Sequence, residues 1–332
     1  MIAAHGFGVA TYENHPPDVL SSAVPVRSPP RAPDLTMTTT PRDLAVFHLC
    51  TRDAAHHALA SGQYRADSLE QEGFIHLSRA HQVLPTARAY FAGVPEVVLL
   101  VIDPTLLAAP LVYEPPAPLP SDTPKSDEPG ELYPHCYGPI DAAAIVDVME
   151  LEHYSGLPVP AATMALLRQH RFQRLPVEGT LYRQTWQATE TLASGSPVGT
   201  AMIGLFADSL GSVSRFHRLT HDEVWHAYAG DPFVLYLLHD DGRTSSVVMG
   251  TDPLAGQAPQ YVVPAGTWQA GALQPGGEYA LYGCTMAPGF TPACFEAGGV
   301  HELTQRYPAA GEIIARLGVT TGETHMPTLP QG

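Results

Sequence analysis

Between Ser214 and Phe290 three turn-marked stretches follow one another: Ser214-Arg-Phe-His217-Arg-Leu219-Thr-His221-Asp-Glu223-Val-Trp225-His226-Ala-Tyr-Ala-Gly230, then Val263-Pro264-Ala-Gly266-Thr-Trp268-Gln269, then Ala287-Pro288-Gly289-Phe290. The first alternates polar and apolar residues as a half-buried strand does. Successive strand side chains point to opposite faces, so Glu223, Trp225 and Ala227 share one face and Val224, His226 and Tyr228 the other. Val234 to Val248 reads as two strands joined at Asp241-Gly242, a dipeptide suited to a tight hairpin. These constraints restrict the C-terminal half to a β-barrel with one side of each strand facing an interior. A carboxylate beside an indole in such an interior is costly unless something binds it.

A fourth motif, Glu178-Gly179-Thr180-Leu181-Tyr182-Arg183-Gln184-Thr185, precedes the other three. In this order the four resemble the cupin-5 family (domain of unknown function 985, an RmlC-like cupin) over about Pro160 to Leu317. The resemblance implies an all-β cupin double-stranded β-helix, a jelly roll with a ligand cavity between its sheets. The chain departs from the family at Thr180, where a second glycine is common. Metal-binding cupins offer His-x-His, a later Glu and a further His. The matching positions here hold His217, Leu219, Glu223 and Gln269, and His217 with Glu223 alone makes a weak site, so a tightly held divalent metal is not expected. His221 or His226 could substitute only in a different strand register.

Sugar-nucleotide epimerases of similar architecture use an imidazole base, and by that likeness His217 is the candidate base with Glu223 as its orienting carboxylate. Trp225, Trp268, Gln269 and Tyr182 are the candidate ligand-binding residues. A purely structural hydrogen bond between His217 and Glu223, and barrel filling by the tryptophans, stand as the alternative reading.

The N-terminal half has another pattern. Val46-Phe-His48-Leu is a short strand, Thr51 caps a helix through Ala60 that Gly62 stops, and Gly73-Phe-Ile-His76-Leu-Ser78 follows, with Ser78 placed to cap the next helix. Apolar strands are expected at Pro95 to Asp103, Leu111 to Glu114 and Ala144 to Glu150, with Pro134-His135-Cys136-Tyr137-Gly138-Pro139 between the last two. Phe47-His48-Leu49, Glu72 to Ser78 and Pro134 to Pro139 together resemble the domain of unknown function 952 over about Leu44 to Leu151. The first two elements are also similar, more distantly, to the RNA 2′-phosphotransferase branch of the ADP-ribosyltransferases. That likeness implies an α+β ADP-ribosyltransferase-like domain with an NAD-derived pocket, in which His48 and His76 are catalytic and His135 and Tyr137 bind ligand. Arg52, Arg65 and Arg79 are the cations available for a phosphate.

The 332 residues suit two units of roughly 150. A formal charge of −16 argues against a nucleic-acid surface, because phosphate neutralisation supplies most of such affinity. Lys125, in a Pro-rich loop, is the one lysine, which excludes Schiff-base catalysis. Cys50, Cys136, Cys284 and Cys294 have no CxxC spacing and read as reduced thiols. No stretch is apolar for long enough to span a membrane, and the start lacks the basic and apolar regions of a secretory signal.

The expected organisation is a disordered extension over 1–42, with Met37 as the translation start, an α+β domain over 43–153, a cupin over 160–318 and a loose tail over 319–332. Pro115 to Gly130 is an exposed insertion. Helices are expected at Ala161 to His170 and Ala309 to Leu317. The composite reading is a bacterial cytoplasmic fusion. Its cupin domain binds a small polar ligand, a sugar or sugar nucleotide, and isomerises or epimerises it; its N-terminal domain binds NAD or ADP-ribose. A homodimer through the cupin domain is expected, and a non-catalytic small-ligand-binding or dimerisation protein is the alternative.

Overall fold

The computed structural model describes residues 44–115 and 131–327. The extension over 1–42, the start at Met37, most of the 115–130 insertion and residues 328–332 lie outside the described residues.

The N-terminal half runs β1 (Val46–Thr51), α1 (Arg52–Ser61), β2 (Gln63–Tyr64), α2 (Asp67–Gln71), β3 (Ile75–His76), α3 (Val83–Tyr90), β4 (Val97–Ile102), β5 (Leu111–Glu114), β6 (Tyr133–Cys136), β7 (Ile140–Asp141) and β8 (Ile145–Glu150). It is α+β. An antiparallel sheet ordered β1-β4-β8 is joined by the β2-β7 pair and the small sheet β3-β6-β5. The run Val97 to Ile102 is apolar throughout because β4 is central and covered on both faces. Leu99 and Val101 pack into one core, and Val98, Leu100 and Ile102 into another.

Thr51 caps α1, its hydroxyl accepting from the Ala54 amide, and Gly62 closes the helix in the left-handed conformation at φ 86°. Ser78 does not cap α3. Its amide and carbonyl pair with Phe47, which commits its backbone to a β-bridge, and a 3-10 turn at Ala80–Gln82 intervenes. The Gln82 side chain takes the capping role there, accepting from the Arg79 amide at 2.8 Å.

The C-terminal half opens with α4 (Ala161–His170), where the helix was expected. Its strands are β9 (Gln173–Arg174), β10 (Leu181–Gln187), β11 (Thr200–Ala207), β12 (Ser214–Leu219), β13 (Glu223–Gly230), β14 (Phe233–Leu238), β15 (Thr244–Met249), β16 (Gln260–Val263), β17 (Trp268–Leu273), β18 (Tyr279–Met286) and β19 (Phe295–Ala297). Two helices close the chain, α5 (Val300–Arg306), which the sequence reading missed, and α6 (Gly311–Leu317). A six-stranded sheet, β16-β13-β18-β11-β10-β9, faces a five-stranded one, β15-β14-β17-β12-β19, as in a jelly roll. Phe206, Trp225 and Tyr282 from the first sheet pack against Phe233, Leu235 and Met249 from the second. The β14–β15 hairpin turns through Asp240, Asp241 and Gly242, with Gly242 at φ 86°.

Two cores extend beyond the barrel. The outer face of β12 and β17 packs Phe216, Trp268 and Ala270 against Leu303 and Ile314 of the closing helices. On the other side, Leu181 and Leu205 share a continuous core with Met164 and Leu167 of α4 and with Phe47, Leu99 and Met149 of the N-terminal half. Two arginines carry polar links across this junction. Arg168 of α4 is paired with the fully buried Asp103, and Arg174 of β9 donates to Asp147 of β8 at 2.5 Å. In the tail over 319–327 only two side chains are buried, while 320–325 and Pro327 are exposed. Val319 and Met326 are buried beside Phe295, and the Thr324 carbonyl accepts from the Ala297 amide.

Candidate functional site

Between the two sheets lies a cavity of about 70 Å³. Its polar lining is Glu178, Tyr182, Gln184, Thr200, His217, Glu223, Trp225 and Cys284, and Leu175, Met202, Leu219, Met286, Phe290 and Phe295 supply much of its apolar wall. The strand alternation places Glu223 and Trp225 inward, as the sequence implied, and leaves His226 on the outer face, near Thr285 and Gln260. By the same alternation Gln269 faces in and Trp268 faces out. Trp268 is therefore not in the cavity; it packs against Leu303 under the Arg218 guanidinium, 4.6 Å from its ring.

Gln269, expected to bind ligand, is not among the lining residues and instead holds two of them. Its Oε1 accepts from the Trp225 indole N–H at 2.9 Å, and its amide donates to Glu223 Oε2 at 2.8 Å. Glu223 is thus held by Gln269 and makes no hydrogen bond to His217, which replaces both the orienting-carboxylate and the closing-pair readings. His217 is oriented instead by its own strand: Nδ1–H donates to the Arg215 carbonyl at 2.8 Å, which leaves Nε2 as the acceptor, and the ring stacks on Phe295. Burial lowers the pKa of His217, partly offset by the Glu223 charge. Burial raises that of Glu223, with His217 opposing.

In the sequence Glu178 stands out only as part of a motif; the structure puts it in the cavity. It is 6% exposed, and burial pushes its carboxyl up to about 7, against smaller lowering effects from Ser214 and Arg215. The Ser214 hydroxyl nevertheless finds no partner in hydrogen-bonding geometry, so the Glu178 carboxyl is left without a formed bond from it. A tight turn delivers Glu178 there. Val177 sits at φ 64°, a left-handed conformation that strains a β-branched residue, and the Glu178 amide donates to the Pro176 carbonyl. Gly179 follows at φ 90° with the Arg215 guanidinium against it, 2.0 Å from where a Cβ would stand. Thr180, in place of the family's second glycine, is not at positive φ; it is buried and shares a 2.7 Å hydrogen bond with Tyr282.

Among the described residues no group of three or more His, Cys, Asp and Glu is arranged to hold a metal ion. His217 and Glu223 offer one imidazole nitrogen and one carboxylate, and Leu219 and Gln269 stand where further nitrogen ligands would be needed. The donor set does not fit a tightly bound metal.

In the N-terminal half the histidines converge. His48 on β1 donates from Nδ1 to the His76 carbonyl at 2.7 Å and accepts from the Tyr64 hydroxyl at 2.8 Å. Burial pushes it down to about 4, so the ring is neutral. His76 and His135 face each other across the β3–β6 register, their rings 5.2 Å apart and perpendicular. Phe74 stacks on His135 at 4.2 Å. Glu114 accepts from the Tyr137 hydroxyl at 2.7 Å and from His135 Nδ1 at 2.9 Å, which holds its carboxyl below the usual range. Of the arginines, Arg52 is paired with Glu150 at 2.7 Å, and Arg79 lies over the Tyr113 ring. Cys136 is buried with its thiol pKa raised, which is the wrong direction for a nucleophile.

No curated protein matches the chain. Among solved structures it is similar to protein SO0799 from Shewanella oneidensis, with 31% identity over 43% of this chain and 89% of that one, at a TM-score of 0.41. A hypothetical protein from Leishmania major matches with 25% identity over 47% of this chain and 97% of that one, at a TM-score of 0.42. Protein CC0527 from Caulobacter crescentus matches with 23% identity over 37% of this chain and 99% of that one, at a TM-score of 0.26. Family models cover both halves: residues 49–148 match the protein of unknown function DUF952, and residues 165–298 match the cupin superfamily family DUF985. The chain therefore joins a DUF952 domain to a DUF985 cupin domain.

Proposed function

We propose that the cupin domain binds a small polar ligand in its cavity and moves a proton on it, as an isomerase or epimerase does. The observation that carries this reading is Glu178: a buried carboxyl, lacking a formed hydrogen bond from Ser214 and poised near neutral pH, in the same small cavity as the neutral imidazole of His217. Two titratable groups whose surroundings push them toward opposite protonation states at one pH form an acid–base pair. His217 Nε2 takes a proton from the carbon beside a carbonyl. Glu178 gives its own proton to the carbonyl oxygen as the enediol forms, and the reverse transfers complete the exchange. Glu223, fixed by Gln269, accepts a ligand hydroxyl.

The cavity of about 70 Å³ narrows the ligand. At roughly 10–15 Å³ per water-sized probe it holds about five to seven such atoms, enough for a small hydroxy-carbonyl or one end of a sugar. A sugar nucleotide also needs cations for its diphosphate, and no Arg or Lys is among the lining residues. The small-sugar form of the reading is therefore the one the geometry supports.

The test is carbon-bound hydrogen exchange. Incubated with glyceraldehyde or dihydroxyacetone in D₂O, the protein should incorporate deuterium beside the carbonyl, and Glu178→Gln and His217→Ala should each abolish this while still melting cooperatively. Saturable binding without exchange would instead favour the non-catalytic binding protein.

A second reading rests on the convergence of His48, His76, His135 and Tyr137. An ADP-ribosyltransferase-like pocket would use such donors around the nicotinamide ribose of NAD, whose oxocarbenium-like transition state requires positioning more than a strong nucleophile. Calorimetric titration of the whole chain with NAD and ADP-ribose, with His76→Ala as control, tests it; absence of binding removes it.

A further inference from the structure

Arg215 on β12 is bonded to both members of the acid–base pair. Its carbonyl accepts from His217 Nδ1 at 2.8 Å, which leaves His217 Nε2 as the acceptor. Its amide donates to the Glu178 carbonyl at 3.0 Å, and Nη1 of its guanidinium donates to the same oxygen at 3.4 Å. The guanidinium lies so close to the Glu178 turn that a Cβ on Gly179 would collide with it. Its other end leaves the cupin domain: Nη2 donates to His153 Nε2 at 2.7 Å. His153 ends the 3-10 turn Leu151–His153, at the close of the N-terminal half. Burial first, then the charges of Arg215 and Arg174, lower the His153 pKa against Glu152 and Glu150, so the ring is a neutral acceptor.

We infer that Arg215 and His153 are positioning residues for the proton transfer in the cupin cavity: His153 holds the Arg215 guanidinium over the turn, and Arg215 fixes Glu178 and His217 together. This inference rests on the acid–base reading of the cavity and brings a residue of the N-terminal half into it. The acid has to give its proton and take it back. Burial favours the protonated Glu178 carboxyl, and Ser214 and the Arg215 charge oppose burial. The other titratable groups around Glu178 are His217 of β12, Tyr182 of β10, Glu223 of β13, and Tyr282 and Cys284 of β18. Glu223 disfavours a second carboxylate beside it, whereas the guanidinium favours one. A guanidinium pinned by His153 therefore keeps the Glu178 proton exchangeable.

Two measurements on the whole chain test this. The first follows Glu178 directly through the carboxyl ¹³C signal of glutamate-labelled protein, assigned by its loss in Glu178→Gln. The second is the rate of deuterium exchange into glyceraldehyde. Arg215→Met should raise the Glu178 midpoint by about one pH unit and lower kcat for exchange about tenfold or more. KM should stay nearly unchanged, because neither Arg215 nor His153 lines the cavity. His153→Leu, which removes the acceptor, should move both readouts the same way, and His153→Gln, whose amide oxygen can accept from Nη2, should restore them. If Arg215→Met fails to melt cooperatively, the two His153 variants still give the result. Exchange in the parent with midpoint and kcat unmoved in the variants, or His153→Gln no better than His153→Leu, overturns the positioning role and leaves the acid–base reading standing. No exchange in the parent with a midpoint that still moves removes the isomerase reading and upholds Arg215 and His153 as the groups that set the buried carboxyl.

Discussion

At the scale of single residues, burial sets the chemistry. Glu178 is pushed up to about 7 from 4.5, so between those pH values the folded chain holds a proton that the unfolded chain has released. Stability from this residue is therefore present at low pH and lost as pH rises through that window. Glu178→Gln should remove the loss, so the melting temperature of the variant should climb relative to the parent between pH 5 and 8. His48 acts in the opposite sense. Lowered from 6.5 to about 4, it makes the fold lose stability as pH falls through that range, and His48→Gln should flatten the acid side of the profile. Gln269 supports two buried groups at once, so Gln269→Leu should strand the Trp225 N–H and a Glu223 oxygen at a cost of about 2–4 kcal/mol, read from urea unfolding.

At the scale of elements, short strands carry the junction between the halves. β9 is two residues long, yet its Arg174 pairs with Asp147 and also donates to the Gly179 carbonyl at 2.7 Å and the Leu210 carbonyl at 3.0 Å. One side chain thereby ties β8 of the N-terminal half to the turn that aims Glu178. Arg174→Ala leaves the buried Asp147 charge uncompensated and should cost about 3–5 kcal/mol, whereas exposed pairs such as Arg218 with Glu296 contribute little. The same variant should slow deuterium incorporation in the exchange assay of the cupin cavity, because the Glu178 turn loses its anchor.

At the scale of the whole molecule, the two family domains are joined by a shared core. Phe47, Leu99 and Met149 pack with Met164, Leu167 and Leu205, so neither half completes its apolar burial alone. Calorimetric melting of the chain should show one transition, and a fragment ending at His153 should bind a hydrophobic dye and lack a sharp melt. Two resolved transitions would show the shared core to be energetically minor. No helix of the described residues is long and apolar enough to cross a membrane.

Local pattern alone determined much of the fold. The alternation through Glu223 to Tyr228, the Thr51 and Gly62 caps of α1, the apolar run of β4 and the bounds of α4 all follow from periodicity and capping chemistry acting within a few residues. The paired motifs also marked both families. What tertiary structure decided is which side chains meet. Ser78 lost its cap to a bridge with Phe47, Trp268 turned to the closing helices while Gln269 turned inward, and Glu178 reached the cavity through a strained turn. Val319 and Met326 of the tail were buried because they found apolar partners distant in sequence, while the residues between them stayed exposed. Such outcomes depend on contacts between residues tens to hundreds of positions apart, which strand period and turn chemistry do not encode, whereas burial in the assembled core fixes both the side chain's neighbours and its protonation state.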